Sequence, residues 1–152
     1  MKKTVITYGT LDMFHIGHLR LLQRASMLGD RLIVGVSTDE FNELKGKKVL
    51  IPYEQRSEIV SNIKCIDIVI PEKSWEQKIE DIKKYKVDIF VIGDDWKNKF
   101  DFLKDFCKVV YLPRTSNVSS TQIKKSLINF LSISKEDLIK TYEFIKIINK
   151  EF

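Results

Sequence analysis

Residues 4–18 read Thr4-Val5-Ile6-Thr7-Tyr8-Gly9-Thr10-Leu11-Asp12-Met13-Phe14-His15-Ile16-Gly17-His18, and this stretch decides the fold. Its first five residues are β-branched or aromatic, as a buried strand requires. Gly9 can take backbone angles closed to other residues, so a sharp turn is expected there. From Gly17 onward Leu19, Leu22, Ala25 and Leu28 recur at helical spacing, with Arg20, Gln23 and Arg24 between them, until Gly29 stops the helix. The two histidines therefore open a helix directly after a strand. Unpaired backbone N–H groups and the positive end of the helix dipole favour an anion at such a point, and two imidazoles add directed donors. Gly17 is expected to let the backbone approach a ligand, and the placement implies a triphosphate.

A histidine pair at i, i+3 can also ligate a metal, cap a helix or fill a core. Two observations favour the anion. These are the only histidines of the 152-residue chain, whereas a zinc site would want further Cys or His ligands nearby. A distant segment, Arg114-Thr115-Ser116-Asn117-Val118-Ser119-Ser120-Thr121, supplies a second half-site: an arginine that can fork onto phosphate oxygens, and hydroxyls at another helix start.

Further along, strand and helix patterns alternate. Residues 31–37 read as a strand, 53–64 as a helix entered after Pro52, 66–70 as a third strand and 87–92 as a fourth. Ser74-Trp75-Glu76-Gln77 is a capping box expected to open a helix to residue 85; Ser119-Ser120-Thr121-Gln122 is a second box. A short helix at 99–105 and a last strand at 108–112 complete the pattern. Repeated βα units with continuous apolar strands predict an α/β fold, a Rossmann-like doubly wound parallel sheet covered on both faces. The expected organisation is a single domain: residues 1–128, with residues 129–152 its C-terminal helical extension. In that extension Ser134-Lys135-Glu136-Asp137 caps an amphipathic helix with Leu138, Ile139, Tyr142, Ile145 and Ile148 on its apolar side, packed on its own domain or presented to a partner. Ligands of such sheets bind at the carboxyl ends of strands, and His15, Asp39, Asp94 and Arg114 all follow strands.

Composition narrows the classes. The net charge of +5 comes from basic residues interspersed with acids, and the one dense basic cluster, Lys45-Gly46-Lys47-Lys48, is too short for a groove that tracks nucleic acid. No signal peptide or membrane-length apolar run is visible, which predicts a cytoplasmic protein with no membrane partner. Cys65 and Cys107 are far apart and form no C-x-x-C, so two reduced, inert thiols are expected.

The segment from Tyr8 to His18 resembles the signature of the cytidylyltransferases of the nucleotidyltransferase superfamily. Later segments narrow the likeness to the glycerol-3-phosphate cytidylyltransferase family: Ser37-Thr38-Asp39-Glu40-Phe41-Asn42, the run from Ile70 to Lys78, Gly93-Asp94-Asp95-Trp96, the run from Phe100 to Asp105, and Tyr111-Leu112-Pro113-Arg114-Thr115. The resemblance covers residues 1 to about 128. It implies formation of CDP-glycerol and pyrophosphate from CTP and glycerol 3-phosphate, for teichoic acid or capsular polysaccharide synthesis, by a homodimer with Mg2+ arriving on the triphosphate and no metal-ligating residues.

By the same resemblance His15, His18, Lys45 and Arg114 carry the chemistry. Gly9, Thr10, Leu11, Ile16, Gly17, Lys47, Asp94, Trp96, Thr115, Ser119, Ser120 and Thr121 join His15, His18 and Arg114 around the nucleotide. Lys45 and Lys78 take the acceptor phosphate; for Lys78 the plain alternative is an ordinary helix surface. Asp12 and Asp39 read as scaffolding, Arg56 as a substrate or structural arginine, and Lys64 stands where the family more often has Arg. Two departures from the family's second signature, Asn117 for Gly and Ser120 for Thr, bear on nucleotide affinity. Other readings stay open: a different phosphate ester as acceptor, adenine as base, or a catalytically idle nucleotide-binding module.

Overall fold

The computed structural model describes residues 2–116 and 118–148; Asn117 lies outside them. The chain forms two compact units, Met1–Val118 and Ser119–Phe152.

Five parallel strands build the first unit: β1 (Thr4–Gly9), β2 (Arg31–Ser37), β3 (Ile68–Glu72), β4 (Ile89–Gly93) and β5 (Lys108–Leu112). Their order across the sheet is β3-β2-β1-β4-β5. The chain starts in the middle, runs outward through β2 and β3, then returns to lay β4 on the free side of β1. The carboxyl ends of β1 and β4 thus flank the point where the winding reverses, the place at which open α/β sheets receive ligands.

Strand side chains alternate between two apolar layers. Val5, Leu32, Val34, Val36 and Val91 pack with Leu22 and Ala25 of α1 (Ile16–Ser26) and Val60 of α3 (Tyr53–Ser61). On the opposite face Ile6, Tyr8, Ile33, Ile70, Phe90 and Ile92 pack with Ile82 of α4 (Gln77–Tyr85), Phe100 and Leu103. Burial on both faces is why these strands read as unbroken apolar runs, and each such side chain contributes about 1.5–3 kcal/mol. Gly35 stands opposite Tyr8 in the β1–β2 register, and a Cβ there would come 2.1 Å from the tyrosine ring.

Several local expectations are corrected. The left-handed residues of the turn after β1 are Leu11 (φ 52°) and Met13 (φ 50°), not Gly9. Asp12 pins this strained turn by accepting the Leu50 and Ile51 N–H groups at 2.9 and 3.0 Å. The third strand forms two residues later than expected: Ile66 N–H closes a turn onto Ile63 O at 3.0 Å, and Pro71 and Glu72 pair with Val36 and Ser37 instead. Pro71 is tolerated because β3 is an edge strand. Helix α4 opens at Gln77, because Ser74 Oγ accepts the Gln77 N–H while the Gln77 side chain turns back to Lys73 N–H and Pro71 O. Residues 99–105 hold a 3₁₀ turn, Asp101–Asp105, and the fourth strand starts at Ile89.

Helix α2 (Asp39–Leu44) is too short to announce itself by periodicity. Thr38 caps its start, accepting the Phe41 N–H at 3.2 Å. Its end is a Schellman motif: Gly46 takes φ 67°, its N–H meets Glu43 O, and Lys47 N–H meets Asn42 O. The glycine therefore reverses the chain between the two lysines.

The second unit comprises α5 (Ser120–Leu131) and α6 (Lys135–Ile148). Ser119 caps α5 by accepting the Gln122 N–H at 3.0 Å, and Ser134 accepts the Asp137 N–H at 3.1 Å at the start of α6. No helix of the described residues is long and apolar enough to cross a membrane. Both cysteines are free, and burial pushes the Cys107 thiol pKa up, which fits an inert thiol.

Candidate active site

The two histidines form a capping box from imidazoles. His15 is the extended N-cap residue of α1, and its Nδ1 accepts the Gly17 N–H at 3.0 Å; His18 Nδ1 accepts the His15 N–H at 3.3 Å. The rings stack with centroids 3.8 Å apart. With both Nδ1 atoms serving as acceptors, a neutral ring must carry its hydrogen on Nε2. Burial and then neighbouring His15 take the His18 pKa down to about 4 against an opposing pull from Asp12; burial and then Arg114 lower that of His15. Near neutral pH the pair is therefore two uncharged Nε2–H donors. Gly17 has a role that its expected one did not include: a Cβ there would lie 2.8 Å from His15 Cε1, so its absence makes space for the ring.

Beyond β1 lies a basic basin with aromatic walls, lined by Tyr8, Gly9, Thr10, Lys45, Lys47, Glu72, Trp75, Lys78, Ile92, Trp96 and Phe100. Lys78 is not helix surface. It is 1% exposed, its Nζ is 2.5 Å from Glu72 Oε1, and the Tyr8 and Trp75 ring centroids stand 4.7 and 4.8 Å away. Lys45 Nζ donates to Ser37 Oγ at 2.8 Å and sits 4.3 Å from the Phe41 ring centroid. Burial takes the Lys45 pKa down to about 8, with Glu72 pulling it back up. Lys47 is exposed, with its Nζ 5.6 Å from the Trp96 ring centroid.

Arg56 proves structural. Its buried guanidinium donates to the carbonyls of Ile51, Thr10 and Ser37 and meets Asp39 Oδ1 at 2.6 Å. It thereby ties the ends of β1 and β2 to α3. Asp39 also accepts the Tyr53 N–H, and Thr10 Oγ1 donates to Asn42 Oδ1 at 2.7 Å. Both aspartates, Asp12 and Asp39, are scaffolding as expected.

A 3₁₀ turn, Asp94–Trp96, follows β4 directly. Asp94 is exposed, Asp95 pairs with Arg114 at 3.3 Å, and the Trp96 ring joins Trp75 and Phe100 in the basin wall. Leu11 is buried in the core and Ile16 is about half exposed. Thr115 is partly buried in the loop after β5, and Lys64 borders a separate hollow with Leu19, Gln23 and Cys65. Ser119, Ser120 and Thr121 open α5 in the second unit.

Ser37, Glu72 and Phe100 escaped the sequence reading as site residues, and so did Trp75. No spacing rule marks a serine or glutamate at a strand end, and an aromatic in an apolar pattern reads as core.

A neutral donor pair at a helix start beside a lysine basin, at the switch point of a parallel sheet, defines a nucleotidyltransferase. The family model described as cytidylyltransferase-like matches residues 6–126, and the chain belongs to that family. It is 62% identical to the glycerol-3-phosphate cytidylyltransferase of Bacillus spizizenii over 125 residues, 82% of this chain and 97% of that one. With the enzyme of the same name from Staphylococcus aureus it shares 55% over 125 residues, again 82% of this chain and 95% of the other. A lipopolysaccharide core biosynthesis protein from Thermoplasma volcanium has the same fold, with a TM-score of 0.69 at 24% identity over 76% of this chain and all of that one.

Proposed function

We propose that the chain is a glycerol-3-phosphate cytidylyltransferase. A phosphate oxygen of glycerol 3-phosphate attacks the α-phosphorus of CTP, the new P–O bond replaces the bond to the β-phosphate oxygen, and pyrophosphate leaves with CDP-glycerol as product. The observation that carries the reading is the pair of Nε2–H donors beside a basin holding three lysines, in a chain 62% identical to an enzyme of that name. Such a transfer needs in-line positioning and charge stabilisation more than a covalent nucleophile. His15 and His18 donate to phosphate oxygens as charge builds, each worth roughly 2.7 to 4 kcal/mol at the transition state.

Arg114 exchanges Asp95 for a phosphate, Lys47 meets the triphosphate, and Lys45 with Lys78 meets the acceptor phosphate. Asp94, in the turn directly after β4, reads the base. The N–H groups and hydroxyls at the start of α5 offer a further anion-binding helix end. Mg2+ arriving on the triphosphate would supply charge neutralisation, with phosphate oxygens and water providing most of its ligation. The product feeds teichoic acid or capsular polysaccharide assembly, and the enzyme works as a cytoplasmic homodimer. Purified protein offered each nucleoside triphosphate against a panel of phosphorylated polyols tests the proposal. Pyrophosphate release confined to CTP with glycerol 3-phosphate supports it; release with another pair, or with none, refutes it.

A further inference from the structure

Among the basin-lining residues Glu72 is the sole carboxylate, and the transfer described above does not use it. It is 3% exposed at the end of β3. Its Oε1 accepts from Lys78 Nζ at 2.5 Å, while its Oε2 accepts from the Ser37 hydroxyl and lies 3.6 Å from Lys45 Nζ. Ser37 Oγ in turn accepts from Lys45 Nζ at 2.8 Å. One carboxylate thus joins two ammonium groups that arrive from different elements, Lys78 from α4 and Lys45 from the end of α2.

An anion is a poor contact for an anionic acceptor. Its value lies in what it does to the lysines. A buried ammonium without a partner sheds its proton or leaves the pocket; bound to Glu72, both stay in place. Three lysines against one carboxylate still leave a cationic excess suited to a phosphate dianion.

We propose that Glu72 is a positioning residue for the acceptor phosphate, holding Lys78 directly and Lys45 through Ser37 so that both side chains are aimed, and Lys45 keeps its charge, before the acceptor arrives. This rests on reading the basin as the acceptor site. The groups facing Lys45 are Glu72 from β3, Lys78 from α4 and Lys47 from the loop after α2, of which only Glu72 favours its charged form. Behind Lys78, Tyr8 keeps its proton by burial and by donating to Asp81 at 2.8 Å.

The test compares the full-length parent with E72Q in two measurements. In the first, isotope-labelled dimethyl-lysine signals are titrated by NMR without substrate, the Lys45 signal being assigned with K45R. Lys45 should titrate near pH 8 in the parent and about one unit or more lower in E72Q; the same midpoint in both overturns the proposal. In the second, KM is measured across a pH series. In E72Q the KM for glycerol 3-phosphate should rise about tenfold or more at the alkaline end, the alkaline limb should move to lower pH, and the KM for CTP should stay unchanged. Equal rises for both substrates, or an unmoved limb, overturn it. A parent that turns over no phosphorylated polyol defeats the proposed function, while the NMR titration still decides the role of Glu72. Should E72Q fail to fold by circular dichroism, S37A, which cuts only the link to Lys45, carries both measurements, with a smaller shift in the same direction expected and no shift refuting.

Discussion

Alanine in place of Gly17 should separate the chemistry from the stability. The backbone there is helical, so the substitution gains about 0.8–1 kcal/mol of helix propensity. The new Cβ, however, falls 2.8 Å from His15 Cε1, 2.9 Å from its Nδ1 and 2.9 Å from Val118 Cγ1. Apolar contacts settle near 3.5 Å or beyond, so the imidazole must retreat by about 0.6 Å or more. That movement disturbs the 3.0 Å bond from Gly17 N–H and the 3.8 Å stack on His18, which together aim both Nε2–H donors. A misplacement on the order of 1 Å costs about a hundredfold, comparable with losing one donor at roughly 2.7 kcal/mol. Pyrophosphate release at saturating CTP and acceptor measures kcat, and scanning calorimetry measures Tm. The expected result is a kcat about a hundredfold lower with Tm equal or slightly raised. A kcat within about threefold of the parent would show that the histidine geometry is not what drives turnover, and a collapsed Tm would show that the clash is not confined to the ring.

Three other outcomes follow from the same geometry. Because the folded-state pKa of His18, about 4, lies below its ordinary value, the unfolded chain binds the proton first. Stability should therefore fall as pH drops from about 6.5 to 4, by up to about 3 kcal/mol on this account, and urea titrations of His18→Gln should show a shallower loss. Activity of the folded enzyme should hold over that range and decline only as the pH nears about 4, where His18 itself takes up a proton, since a proton on its Nδ1 would face the His15 N–H. Arg56→Ala should lower stability by about 3–5 kcal/mol, read from the urea midpoint, by stranding Asp39 and three carbonyls; Arg56→Lys should recover only part, because one ammonium cannot span four acceptors. Lys47→Ala should raise the KM for CTP about tenfold or more by removing a charged donor, with little change in Tm because the side chain is exposed.

Local physics made much of this molecule legible in one dimension. Strands buried on both faces must be apolar along their whole length, which is why β1, β2 and β5 stand where the pattern puts them. A helix that opens directly after a strand presents its N–H groups to whatever binds there, and the place of His15 and His18 at that helix start could be read from neighbours in sequence alone. Where pairing with a distant strand decided the outcome, the pattern failed. The register of β3 follows from hydrogen bonds to β2, and the left-handed Leu11 and Met13 persist because Asp12 is fastened to Leu50 and Ile51. Lys78 and Glu72 show the division most clearly. A lysine in a charged helix and a glutamate after a proline look like solvent-facing residues. Only the meeting of β3, α4 and the aromatic wall withdraws them from water and brings them together as an ion pair at 2.5 Å, because burial is a property of packed elements and no sequence spacing encodes it.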